Sequence, residues 1–314
     1  MSLVFVFPGQ GSQSVGMLKE LAADDAAVRA TFAEASGVLG YDLWQLVSEG
    51  PESELNATER TQPAMLAAGV ATWRLWRARG GALPATVSGH SLGEFTALVC
   101  ADALEFPAAV ELVRFRGQVM QEAVPAGSGA MAAILGLDDE GVIAVCREAA
   151  CGAVVEPVNF NSPGQVVIAG EAAAVQRAIE AAKLRGAKRA VPLPVSVPSH
   201  SSLMRGAGVR LRERLQTLTV RVPQIRYVSA VDAQAHAAPD DIREVLVRQL
   251  SSPVRWTDTL TALAGAEVTR IIECGPGKVL TALNKRIVKR DGLSYLALED
   301  PATLDAALQA SSMG

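Results

Sequence analysis

Residues 86–95 read TVSGHSLGEF, and the rest of the chain is best read outward from them. Residues 86–89 suit a short buried strand, and 92–104 carry the apolar spacing of a helix. Between them Gly89-His90-Ser91-Leu92-Gly93 fits G-x-S-x-G. Glycines on both sides let the main chain turn sharply and lift the serine hydroxyl above the sheet edge. The following helix aims its free N–H groups and positive dipole end at the same spot, which suits a developing oxyanion. The pattern also occurs by chance in glycine-containing loops, so on these residues alone a nucleophilic Ser91 and an ordinary turn both stay open.

On either side of this elbow, strands and helices alternate. Residues 3–7 read as a buried strand followed by the turn Gly9-Gln10-Gly11, and 26–39, 62–79 and 107–123 have helical periodicity. That alternation predicts an α/β fold with a mostly parallel sheet. The middle of the chain differs. Strands are expected at 130–135, 154–160, 165–169 and 190–195, with helices at 139–149 and 172–184 and turn residues Asn161-Ser162-Pro163-Gly164. The order β-α-β-β-α-β is that of a ferredoxin-like unit. Gly127-Ser128-Gly129 and the proline-spaced PLPVSVPSH at 192–200 would be its hinges. Residues 127–198 are therefore expected to form a small subdomain inserted into a larger domain made of 1–126 and 199–314. The α/β pattern resumes with helices at 204–218, 240–250 and 279–288 and strands at 225–228 and 270–273.

Bulk properties fit this size. The 314 residues are 49% hydrophobic and 20% charged, enough to bury a large core. A net charge of −4 argues against nucleic acid as a partner. Cys100, Cys146, Cys151 and Cys274 lack paired metal spacing and read as reduced cysteines of a cytoplasmic protein. The apolar run at the N-terminus breaks at Pro8, and no stretch approaches the roughly 20 residues of a spanning helix, so no membrane association is expected.

A serine nucleophile needs a base, and the chain offers three histidines. His90 adjoins Ser91 and leaves the backbone in another direction; His236 sits in a polar-flanked stretch and suits the surface. His200 falls where the inserted unit returns to the large domain, a natural cleft wall, and is the preferred base. Asp102, Asp138 and Asp139 stand at helix ends rather than after a strand, so a serine–histidine dyad oriented by a backbone carbonyl fits better than a triad. The main-chain N–H groups of Leu92 and Gln10 are candidate oxyanion donors, although Gly9-Gln10-Gly11 equally suits a plain tight turn. Arg116, one helix beyond the elbow, could pair with a carboxylate in an acyl pocket, yet an arginine at such spacing is most often solvated. Gly275-Pro276-Gly277-Lys278 lacks P-loop spacing, and Gly9-Gln10-Gly11 lacks the rest of a dinucleotide fingerprint.

FPGQGSQ at 7–13, GHSLGEF at 89–95, FNSPGQVVIAG at 160–170, SVPSHSSLM at 196–204 and GPGKVLTAL at 275–283 occur together and in order. With these the chain resembles, over essentially its full length, the malonyl-CoA:acyl carrier protein transacylases of type II fatty-acid synthesis. It looks like the discrete enzyme rather than a domain of a larger synthase. The resemblance implies an α/β-hydrolase-like core with a ferredoxin-like insert. It implies that malonyl-CoA acylates Ser91, with His200 as base held by the main-chain carbonyl of Gln249. It places the oxyanion hole at the N–H groups of Gln10 and Leu92, and the malonyl carboxylate on Arg116. The malonyl group would then pass to the phosphopantetheine thiol of an acyl carrier protein. No cofactor or metal is expected: the coenzyme A thioester is a substrate, and the carrier brings its own phosphopantetheine. A monomer is expected, since no exposed apolar helix demands a partner. Carriers of this kind are typically acidic, and Lys278, Lys285, Arg286, Lys289 and Arg290, with Arg205, are a candidate docking face, or else an ordinary solvated one. The rivals are a serine esterase or thioesterase, and a carrier-binding module without activity.

Overall fold

The computed structural model describes residues 2–195 and 197–312; Ser196, which opens the 196–204 stretch and lies in the proline-spaced hinge, falls outside them, as do Met1, Met313 and Gly314 at the ends of the expected large domain. Among the described residues the strands are β1 (Ser2–Phe7), β2 (Thr86–Gly89), β3 (Gly129–Leu135), β4 (Val155–Ser162), β5 (Gln165–Glu171), β6 (Arg189–Pro192), β7 (Arg226–Val228), β8 (Ala235–His236), β9 (Val268–Glu273) and β10 (Ser294–Ala297). They form two sheets, in the orders β10-β9-β1-β2-β7-β8 and β4-β5-β3-β6.

In the larger sheet β10, β9, β1, β2 and β7 run parallel and only β8 is antiparallel. β1 is central and buried on both faces, which is why it reads as an unbroken apolar run. Phe5 and Phe7 face one helical layer, where Phe5 meets Trp76 edge-on at 5.3 Å; Val4 and Val6 face the other layer with Trp256 and Leu260. Each fully buried side chain of this size contributes roughly 1.5–3 kcal/mol. Pairing of Phe7 with Gly89 and of Val6 with Glu273 aligns the carboxyl ends of β1, β2 and β9. The 8–13 loop, the elbow and the 274–278 turn therefore open on one edge, where ligands bind in open α/β sheets.

The smaller sheet is antiparallel throughout. Period-two alternation divides its residues. Ala132 and Ile134 pack under the helices Asp139–Ala150 and Ala172–Leu184, whereas Met131, Val158, Val167 and Ala169 form a second cluster on the opposite face. β4 is tied to the connection between the helices Pro239–Gln249 and Trp256–Leu263, where Phe160 N–H donates to Val254 O at 2.9 Å and Val254 N–H donates to Val158 O at 2.8 Å.

The strand expected over 190–195 ends at Pro192, because its ladder with β3 stops at the Ala132–Pro192 pair. The helix expected to begin at 62 begins at Thr58, with Pro63 inside it. No helix among the described residues is long and apolar enough to cross a membrane, and no cluster of His, Cys, Asp or Glu among them could hold a metal ion.

Candidate active site

Ser91 sits between β2 and the helix Gly93–Cys100 with φ 52°, a left-handed conformation uncommon outside glycine. Its strain is sustained by close main-chain packing. A Cβ on Gly93 would lie 2.0 Å from Phe7 O, and one on Gly9 2.4 Å from His90 O. His90 N–H donates to Phe7 O at 2.9 Å. The 8–11 loop is thus pressed against the elbow, and Gln10 and Leu92 line the same cavity as Ser91. Glycine is the only residue that permits this approach.

His200 reaches the serine from the other side. Its Nδ1 lies 2.7 Å from Gln249 O and its Nε2 lies 2.8 Å from Ser91 Oγ. A carbonyl can only accept, so Nδ1 carries the proton and Nε2 is left to accept from the serine hydroxyl. Burial, followed by the positive charge of Arg116, pushes the imidazole pKa down to about 3, so the ring is neutral at pH 7. His200 also has a positive φ, 66°. Its turn is held by Ser201 Oγ donating to Pro198 O at 2.7 Å and by Ser202 N–H donating to Glu156 Oε2 at 2.7 Å.

Arg116 is not solvated: the helix Phe106–Glu122 turns it into the core, where it is 1% exposed. It donates to Gln62 Oε1 at 2.9 Å, to Gln249 Oε1 at 2.8 Å and to Ser91 Oγ at 3.3 Å. Burial lowers its pKa to about 10, opposed by the charge of Glu94, so it remains cationic at neutral pH. Its Nε has no partner. A buried guanidinium paired with amides rather than a carboxylate is a ready site for an incoming carboxylate.

Sequence reasoning left three of these neighbours unassigned. Gln62 and the side chain of Gln249 hold the guanidinium, and Glu94 accepts from Gln249 Nε2 at 2.8 Å. Glu94 carried a readable signal, since it is the sole acid in a helix whose eight residues are all buried. His90 turns away from the serine and bonds Asn161 Oδ1 through Nε2 at 2.9 Å. His236 lies on β8, half-buried rather than at the surface, with Nε2 3.1 Å from Asp232 Oδ1. Of the candidate docking cations, Arg290 is committed elsewhere, donating to the carbonyls of Ala264, Gly265 and Val268. Lys278 pairs with Glu299 at 3.2 Å, and Arg286 reaches Gln165 Oε1 at 3.1 Å; Lys285, Lys289 and Arg205 are exposed.

Together Gln10, Ser91, Leu92, Arg116 and His200 line a cavity of about 210 Å³, walled also by Met131, Val167, Leu193, Val195 and Val197. Such a constellation can take a proton from Ser91, stabilise an oxyanion above it and hold an anionic acyl tail. Residues 4–300 match the model of the acyl transferase domain family. The malonyl CoA-acyl carrier protein transacylase of Salmonella typhimurium is 56% identical over 304 residues, covering 97% of this chain and 98% of that protein. The enzyme of the same name from Bacillus subtilis is 44% identical, covering 98% and 96%. The crystal structure of an acyl carrier protein S-malonyltransferase from Vibrio cholerae superposes with a TM-score of 0.93 at 56% identity, covering 98% of this chain and 99% of that one. A malonyl-transacylase solved in complex with its type II polyketide-synthase acyl carrier protein gives 0.96 at 54% identity, covering 99% and 100%. The chain belongs to the acyl transferase family and, within it, to the malonyl CoA-acyl carrier protein transacylases.

Proposed function

We propose that this chain transfers the malonyl group from malonyl-CoA to the phosphopantetheine thiol of an acyl carrier protein by a ping-pong route through a malonyl-Ser91 ester. The observation that carries this reading is the buried Arg116 guanidinium, 3.3 Å from the Ser91 hydroxyl and without a carboxylate hydrogen-bonded to it. His200, neutral, accepts the Ser91 proton as the serine oxygen attacks the thioester carbonyl. The N–H groups of Gln10 and Leu92 receive the oxyanion. The C–S bond breaks, coenzyme A leaves with the proton from His200, and the ester remains. His200 then deprotonates the carrier's thiol, which attacks the ester and restores Ser91. No step needs a cofactor. Gln249 O occupies the place of an acid on His200 Nδ1, which favours a transferase over an esterase or thioesterase.

The same reading makes the larger sheet and its helices, residues 1–126 and 199–314, an α/β-hydrolase-like core, and residues 127–198 a ferredoxin-like subdomain; the β4-β5-β3-β6 order supports the latter. It also places the enzyme in the cytoplasm and gives Lys285, Arg286, Lys289 and Arg205 the task of meeting an acidic carrier. Charge reversal at Lys285 and Arg286 should raise the carrier's KM and leave malonyl-CoA's unchanged; an unchanged carrier KM removes the docking face. The functional reading itself is tested by Arg116→Ala. Transition-state binding of malonyl should weaken by about 2–5 kcal/mol while acetyl transfer is spared. Unaltered malonyl-CoA kinetics would sink the assignment.

A further inference from the structure

Among the described residues only three Asp, Glu, Lys or Arg side chains are buried: Glu94, Arg116 and Glu273. Glu273 is accounted for by local structure, because its two oxygens accept from Leu280 N–H and Thr281 N–H at the start of the helix Val279–Ile287. Glu94 caps nothing of this kind. It lies three residues after Ser91, 1% exposed, with its side chain turned into the core. Burying a carboxylate costs several kcal/mol, and an apolar residue would fill the space more cheaply. Its one main-chain partner, the Ala230 N–H, does not by itself account for an acid there.

Its side-chain partners do. Gln249 Nε2 donates to Glu94 Oε1 at 2.8 Å and to Ser91 O at 3.0 Å, while Gln249 Oε1 accepts from Arg116 Nη2 at 2.8 Å. The Tyr227 hydroxyl donates to Glu94 Oε2, and Ser229 also bonds the carboxylate. Two acceptors on one side and a cation on the other leave the Gln249 amide only one favourable orientation. The main chain of the same Gln249 holds His200. Arg116 and Glu94 are therefore opposite charges separated by one amide. A direct ion pair would occupy the guanidinium; the interposed amide balances the charge and leaves the cavity side of Arg116 available. Neither Glu94 nor Gln249 lines the cavity.

We propose that Glu94 is a positioning residue for acyl selection: acting through the Gln249 amide, it orients and charge-balances Arg116 so that the guanidinium meets a carboxylate on the bound acyl group. The inference rests on the malonyl-transfer reading above. Glu94→Gln keeps the shape but removes the charge and one acceptor, so the Gln249 amide loses its fixed orientation. The ratio of kcat/KM for malonyl-CoA to that for acetyl-CoA should fall roughly tenfold, chiefly through the KM of malonyl-CoA, with the folded protein retained. Tyr227→Phe takes one partner from the carboxylate and should move the ratio the same way by a smaller factor. Both variants are measured beside the wild type with the two donors and an acyl carrier protein, with Tm recorded. Equal loss on both donors, or an unchanged ratio in folded Glu94→Gln, overturns the proposal. Should Glu94→Gln not fold, an unchanged ratio in Tyr227→Phe overturns it. Wild-type protein that fails to transfer malonyl at all defeats the functional reading instead.

Discussion

The two halves of the reactive pair are held by different means. On the serine side, strain at Ser91 is supported by glycines that let main chain touch main chain: Gly89 against Gly93 inside the elbow, and Gly93 and Gly9 where the elbow meets the 7–9 turn. On the histidine side there is no glycine. His200 keeps an equally unusual φ of 66° through hydrogen bonds, from distant Gln249 at its ring and distant Glu156 at its turn, with neighbouring Pro198 accepting from Ser201. A device built from close main-chain approach leaves a signature in the sequence, because only glycine permits it. One built from hydrogen bonds to a carbonyl or a side chain does not, and it should also fail more gradually when its supports are removed one at a time.

That contrast can be broken by substitution. The largest effect falls where both sides meet. His200→Ala removes the base, and transfer should drop by roughly 10⁴-fold or more with Tm little changed, measured as single-turnover acylation. Gly93→Ala should be next, because a methyl 2.0 Å from Phe7 O forces the main chains apart; a loss of about 3 kcal/mol in denaturant unfolding is expected. If Gly93→Ala folds with unchanged stability, the close approach is not what holds the elbow. Ser201→Ala, on the histidine side, deletes one buried hydrogen bond and should cost only about 1 kcal/mol with a modest loss of rate. His236→Ala should alter stability by about 0.5 kcal/mol and leave transfer intact; an effect as large as that of His200→Ala would reverse the choice of base.

Acidity gives a separate handle on the histidine side. His200 is lowered from 6.5 to about 3 by burial first and the Arg116 charge second. Between those values the unfolded chain binds a proton there that the native protein does not, so this group's contribution to stability is full above pH 6.5 and falls as pH drops toward 3. Acylation should accordingly show no loss from His200 protonation between pH 8 and 6. An acylation profile that falls with an apparent pKa near 6.5 would show an exposed, unshifted imidazole.

How much was legible in the sequence follows from the same distinction. β1, the elbow and the β-α-β-β-α-β run were readable because each rests on local periodicity or on glycine. The helix Trp256–Leu263 and strand β10 were not anticipated: the first interleaves threonines with its apolar residues, and the second is four residues long and borrows its register from β9. Arg116 could be named, but not buried, since a single arginine on a helix carries no mark of which way it faces. Glu94 stood out as the one acid of an apolar helix, but its role and that of Gln62 depend on contacts with residues 155 and 54 positions away, which spacing does not reveal.

The central claim is a covalent malonyl-Ser91 intermediate poised beside Arg116. Intact-mass measurement of the protein mixed with malonyl-CoA, without any carrier, tests it most directly. The expected result is one malonyl adduct that maps to Ser91, is absent in Ser91→Ala and discharges when acyl carrier protein is added. An adduct mapping elsewhere, or steady release of coenzyme A with no adduct, would contradict it.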